Sequence, residues 1–522
     1  MIGFAVVLIG GKVRGMQMYR LMIAALALSL IGGPALADDA KVTVQGDNKG
    51  AIVTGDGNTT TIHQGLSGAE VDRIVKTLTD THLAARRADQ ETIKSLRAAV
   101  EALSQRAARP DATPEIRDAL EQLKAGDQKA AEAIFAQVLA KEEARGQHAL
   151  KKAAEAARHL GALAFLHDTK TALKYYRKAT RLDPENPRSW NQLGHLLRRI
   201  GELDEAIEAY EKVLSIGEGE NDREWIAIAT GNLGVIYQTR GDLGQAEDMY
   251  KRGLAINEEL GRKEGIAATL GNLGMIYETR GDLEQAENMH KRALAINEEL
   301  GRKEGMAINL GNLGLIYQTR GDLGQAESMY KRSLAINEEL GRKEGAANQL
   351  GNLGLIYLTR GDLDQAEEMH KRAFAINEEL DRKEGIATNL GNLGLIYRRQ
   401  GDLDQAEEMH KRALALNEEL GRKEGMANQL GNLGVIYQIR GDLDQAEEMH
   451  KRALAIDKGL GRKEGMAIQL GNLGNIYEAR GDMPKACRHW RKAHAMFRHV
   501  GAKPQIQQVE RLISRNACPA AE

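Results

Sequence analysis

An asparagine returns every forty residues in this chain, at Asn232, Asn272, Asn312, Asn352, Asn392, Asn432 and Asn472, each time inside the tetrapeptide Gly-Asn-Leu-Gly. A carboxamide is donor and acceptor at once. A row of them can clamp the main chain of an extended peptide without reading its side chains. Gly231 and its equivalents leave room for close backbone approach. The apolar residues around one copy, Leu270, Leu273, Ile276 and Tyr277, have helical period, so the tetrapeptide belongs to a helix interior. Two glycines and an asparagine cost roughly 2 to 2.5 kcal/mol there relative to alanine. A cost repeated in every copy calls for a return in close helix packing or in binding. Hydrogen bonding between repeats is the reading that needs no ligand.

Other reactive side chains point away from catalysis. His290, His370, His410 and His450 occupy the position of Tyr250, Tyr330 and Trp490 in sister repeats. Packed helices lie on the order of 10 Å apart, too far for shared metal ligation near 2 Å. The histidines read as substituted core aromatics, and neither metal nor cofactor is expected. The chain has no Walker loop, no H-E-x-x-H and no G-x-S-x-G; Gly65-Leu66-Ser67-Gly68 falls short of the last. Residues 38–110 offer no nucleophile–base set. Lys251-Arg252 is followed two turns on by Glu258-Glu259, a mixed solvated face. A formal net charge of −2 with 28% charged residues gives no basic field for nucleic acid. In an exported chain the pair Cys487 and Cys518 can bridge and staple the tail to the last repeat; two free thiols are the other reading.

The elements that position these residues follow from composition along the chain. At 522 residues it suits several domains or one repeat array. Residues 1–37 read as a signal peptide: Arg20, the apolar run Leu21 to Ile31, Pro34, then Ala35-Leu36-Ala37. Residues 1–15 read as a misassigned start upstream of Met16 or Met18. The run is short for a membrane span, although an uncleaved anchor is the alternative. Export to the periplasm or the medium is expected. In residues 38–65, Val42, Val44, Ile52, Val53 and Ile62 alternate with polar residues between Gly/Asp/Asn turns. They read as a short β-hairpin segment without a calcium loop. Residues 66–108 read as one long helix with two apolar seams, Val71, Val75 and Leu78, then Ile93, Leu96, Val100 and Leu103, offset by a stutter. It either forms a coiled coil that oligomerises the protein or packs on the first repeats. Residues 114–226 hold three divergent helical pairs. Seven forty-residue repeats fill 227–500. In the second, one helix runs from about Glu264 to Arg280. Gly281 closes it, and Asp282 with Gln285 caps the next in a capping-box variant. Residues 501–522 end the array with a capping helix built on Ile506, Val509, Leu512 and Ile513.

Trp190, Leu193, Gly194, Leu197, Gly201, Ala206 and Tyr210 follow the W-x2-L-G-x2-Y…A-x3-F spacing. Over residues 114–500 the chain resembles the tetratricopeptide repeat family. Its forty-residue length and its G-N-L-G-x-I-Y-x-x-R-G-D signature are similar to the long-repeat branch of Leu-Gly-Asn polarity adaptors and kinesin light chains. The resemblance implies an all-α fold, a right-handed solenoid of helical hairpins. It places Ala268, Asn272, Met275 and Thr279 on a concave face. The asparagines would form a ladder there, with Val235, Met275, Leu315, Leu355, Leu395, Val435 and Asn475 as an apolar floor. The groove edge would be Gln238, Glu278, Gln318, Leu358, Arg398, Gln438 and Glu478, flanked by Thr239, Thr279, Thr319, Thr359, Arg399, Ile439 and Ala479. The repeats differ most at these edge positions. The implied function is a non-enzymatic scaffold that binds an extended segment of a partner protein. A structural oligomer assembled through residues 66–108 is the alternative.

Overall fold

The computed structural model describes residues 41–44, 51–55, 58–62, 66–81, 90–109, 112–143, 149–165 and 167–518. Residues 1–37, read from the sequence as a signal peptide with a misassigned start, the turns at residues 45–50 and 56–57, and residues 82–89 within the expected long helix lie outside the described residues. The chain forms two compact bodies, residues 1–260 and 261–522.

In the first body, β1 (Lys41–Val44), β2 (Ala51–Gly55) and β3 (Asn58–Ile62) pair antiparallel in chain order, Val42 opposite Val53 and Ile52 opposite Thr61. Ten helices among the described residues follow: α1 (Gly68–Thr81), α2 (Gln90–Ala108), α3 (Pro114–Lys124), α4 (Gln128–Glu143), α5 (Leu150–Ala164), α6 (Thr169–Leu182), α7 (Pro187–Arg199), α8 (Leu203–Glu220), α9 (Arg223–Arg240) and α10 (Leu243–Glu259). Where the sequence suggests one long helix, α1 and α2 are described separately and pack against each other and against α3. Val71, Val75, Val100 and Leu103 are buried in one cluster with Ile116, Leu120, Phe135 and Leu160. These seam residues face the first repeats, because two short amphipathic helices bury their stripes on the nearest apolar surface.

The second body is a stack of hairpins: α11 (Lys263–Thr279) with α12 (Leu283–Glu299), α13 (Lys303–Thr319) with α14 (Leu323–Glu339), α15 (Lys343–Arg360) with α16 (Leu363–Glu379), α17 (Lys383–Gln400) with α18 (Leu403–Glu419), α19 (Lys423–Arg440) with α20 (Leu443–Gly459), and α21 (Lys463–Ala479) with α22 (Met483–Val500). We call the two helices of each hairpin A and B. α23 (Lys503–Arg515) ends the stack. It buries Val509 with Trp490 and Phe497, and half-buries Ile506, Leu512 and Ile513. Cys487 and Cys518 are bridged, with their Cα atoms 5.5 Å apart. No described helix is long and apolar enough to cross a membrane.

The second glycine of each Gly-Asn-Leu-Gly explains how A meets B. A Cβ on Gly314 would stand 2.5 Å from the Tyr330 ring, and one on Gly274 2.5 Å from His290 Nε2. The B-helix ring packs directly against the A-helix backbone at this glycine, a contact that any side chain would block. Gly281, at φ 77°, closes α11 in the left-handed conformation. Asp282 accepts from the Gln285 backbone N–H at 3.1 Å. The Gln285 amide donates to the Asp282 carboxylate at 2.7 Å instead of accepting from the Asp282 backbone N–H, so the capping box is only half made.

Adjacent hairpins are latched by charge. Glu327 accepts from Lys331 at 2.6 Å in its own helix, and from Tyr357 at 2.9 Å and Arg360 in the next repeat. The bond from Lys331 and those from Arg360 and Tyr357 outweigh burial and hold the Glu327 carboxyl down at about 2. Glu287, Glu407 and Glu447 repeat the arrangement.

Candidate peptide-binding face

In the second body successive A helices approach one another more closely than successive B helices do. Their outward faces carry the expected positions. Asn272, Asn312, Asn352, Asn392, Asn432 and Asn472 are half-buried there, and none has a side-chain hydrogen bond among the described residues. Asn232, in the first body, is engaged. Its Nδ2 donates to Asn191 Oδ1 at 2.8 Å, and the chain of contacts continues through His195 to Tyr210. Val235, Met275, Leu355, Leu395 and Val435 are half-buried, and Leu315 is 48% exposed. Asn475 is committed to the protein, accepting from Trp490 Nε1 at 3.0 Å.

The edge positions divide. Glu278 and Gln318 reach inward to the B-helix ring. Tyr330 donates to Gln318 at 2.8 Å, and Glu278 stands 2.9 Å from His290 Nε2. Tyr250 donates to Gln238 in the same way at 3.0 Å in the first body. Leu358 is buried. Glu478 accepts from Arg515 and Asn516 of the tail. Over Tyr250 and Tyr330 the position is Gln, but over the four histidines it is Glu278, Leu358, Arg398 and Gln438, so the ring beneath does not set it. Arg398 Nε is buried without a partner, and burial, with Arg399 beside it, lowers its pKa. Arg399 donates to the Leu358 carbonyl at 2.6 Å across the neighbouring A helix.

His290, His370, His410 and His450 are completely buried. His290 and His370 meet the carboxamide oxygens of Asn309 and Asn389 at 3.1 Å through Nδ1, and His410 and His450 meet Gln429 and Gln469 at 2.7 and 2.8 Å. Asn309 and Asn389 place their own N–H on the carbonyls of Gly305 and Gly385, so the imidazole Nδ1 is the donor. These amides also occupy space near the first glycine of the tetrapeptide. A Cβ on Gly391 would stand 2.9 Å from Gln429, whereas one on Gly351 or Gly471 would meet nothing within 4 Å. The room for an incoming backbone is present in some repeats and filled in others.

Two features escaped the sequence reading. Ile308 and Ile468, one helical turn before Asn312 and Asn472, are 49% and 43% exposed, and with Ile439 at 57% they enlarge the apolar part of this face. Their i to i+4 spacing from the ladder was the available signal. A second asparagine row, Asn297, Asn337, Asn377 and Asn417, is buried, each Nδ2 on the carbonyl four residues back. Asp457 replaces it once. Burial raises that carboxyl, and Arg462 at 2.9 Å opposes the rise.

Comparison with known proteins agrees with this architecture. Three family models, each described as tetratricopeptide repeat, match residues 186–259, 305–379 and 385–459, residues 266–300, and residues 162–186. The chain is similar to a solved signal-transduction ATPase with a tetratricopeptide repeat sensor from Pyrococcus horikoshii, at 16% identity and TM-score 0.50, over 75% of this chain and 64% of that one. It is also similar to the apo quorum sensor NprR from B. thuringiensis, at 13% identity and TM-score 0.50, over 66% and 99%. At these identities the likeness is one of fold. No curated protein is similar enough to match. The family matches together span more than half of the sequence, and the chain belongs to the tetratricopeptide repeat family.

Proposed function

We propose that this protein is a scaffold that binds an extended segment of a partner protein along the A-helix face of residues 261–480. Tetratricopeptide repeat proteins bind protein partners and are generally non-enzymatic. The observation that carries the reading is the contrast between amides. Asn297, Asn337, Asn377, Asn417, Asn309 and Asn389 each donate to a carbonyl of their own helix, whereas six half-buried ladder amides have donors and acceptors to spare. Main-chain groups of an added strand would satisfy them, and Ile308, Leu315, Leu355 and Leu395 would receive its apolar side chains. Export belongs to the same proposal, supported by the disulfide, which persists in oxidising compartments.

The test is the triple variant Asn312→Ala, Asn352→Ala, Asn392→Ala. Crosslinking in the native envelope identifies captured proteins, and circular dichroism reports helicity. Capture is expected to fall at least tenfold with helicity unchanged. Undiminished capture removes this face from the account.

A further inference from the structure

The B helices change sign at the C-terminal end of the second body. α18 carries five Asp or Glu and two Lys or Arg. α22 carries five Lys or Arg, three His and no Asp or Glu. The reversal is positional. Arg488 stands where earlier repeats have Glu368, Glu408 and Glu448, and Arg498 where they have Glu338, Glu378 and Glu418. His499 replaces Glu379 and Glu419. The drift begins one helix earlier, with Lys458 at the position of Glu418.

Earlier repeats use those glutamates. Glu338 pairs with Arg372 at 2.9 Å, Glu298 with Arg332 at 3.1 Å, and Glu379 with Lys343. In the last repeat the acceptors are gone, and Lys463 meets His499 at 2.6 Å instead. Lys485 has Asp482 at 2.8 Å. Arg488, Arg491, Lys492 and Arg498 have no ion pair among the described residues. Lys485, Arg488, Lys492 and His499 share one exposed helix face, with Arg498 beside it.

This face has no apolar centre of the kind that distinguishes a protein interface. Trp490 and Phe497 are buried, so no exposed aromatic is offered to stack on nucleic-acid bases. What remains is an exposed row of cations with one carboxylate, Asp482, near Lys485 and Arg488 and no ion pair for Lys492 or Arg498, a row that needs no groove or shape match. We propose that the α22 face docks on an anionic phospholipid surface, whose headgroups attract such clusters electrostatically within a Debye length.

Full-length protein is sedimented with vesicles of phosphatidylglycerol and phosphatidylcholine, and with vesicles of phosphatidylcholine alone, at low and high salt. The paired variant Arg488→Glu, Arg498→Glu restores residue types that sister helices already carry, so folding is retained, and circular dichroism verifies it. A tenfold or greater excess on the anionic vesicles is expected, lost at high salt and in the variant. Equal retention on both vesicles, or an excess that the variant keeps, overturns the proposal. So does duplex DNA shifted in a parallel assay by protein that shows no vesicle excess.

Discussion

A buried imidazole is a conditional choice for a core position that sister repeats fill with tyrosine or tryptophan. Burial, with the Arg398 guanidinium adding to it, pushes the His410 pKa down from 6.5 to about 4, against the hydrogen bond to Gln429. The folded value lies below the unfolded one. The contribution to stability is therefore complete above pH 6.5 and shrinks as pH falls toward 4. Its full size is about 3 kcal/mol. The urea midpoint is expected to drop between pH 7.5 and 4.5, and His410→Phe to lose part of that drop. An identical drop in both proteins places the acid sensitivity elsewhere. His370 and His450, lowered by the same burial, add to it. The sequence showed these histidines as core residues because they alternate with aromatics in near-identical contexts. Their amide partners were not legible, since Asn389 and Gln429 lie 19 residues on, in the following repeat. Nor was the second asparagine row, whose residues look in sequence like ordinary solvated helix ends.

The Gly-Asn-Leu-Gly element joins two glycines with different physical reasons. Gly354 is a packing residue: a Cβ there would stand 2.6 Å from His370 Nε2. Gly354→Ala is expected to destabilise by about 3 kcal/mol, the upper range for overpacking. Gly351 faces open space, and Gly351→Ala is expected to stabilise by up to about 1 kcal/mol through helix propensity alone. Thermal denaturation of the pair decides it, and two losses of equal size would contradict the assignment. If the stabilised Gly351→Ala protein also captures less partner, the open space belongs to a ligand. Helix period, capping Asp282 and closing Gly281 were legible because they are local. The division of labour between the glycines was not, because it depends on which neighbouring helix approaches. The seams of residues 66–108 are covered by α3 to α5, which is the packing on the first repeats that the sequence left open beside a coiled coil.

Across the second body each repeat is completed by the next. Glu327 takes its partners 30 and 33 residues on, in the next hairpin, while Lys303, Lys343 and Lys383 take theirs 36 residues on and close their own hairpin. No recurring latch reaches further than one neighbour, the behaviour of a quasi-one-dimensional fold. Excision of residues 347–386, one period, is therefore expected to leave a folded protein with the same helicity per residue. Collapse to an unfolded chain would show that longer-range order holds the stack. The interchangeable joint has a genetic corollary. Unequal exchange between nearly identical coding copies would insert or drop a rung without redesigning a single junction. Under the proposed function, capacity counted in free asparagines would then change in whole steps, with the cysteine-stapled repeat left in place.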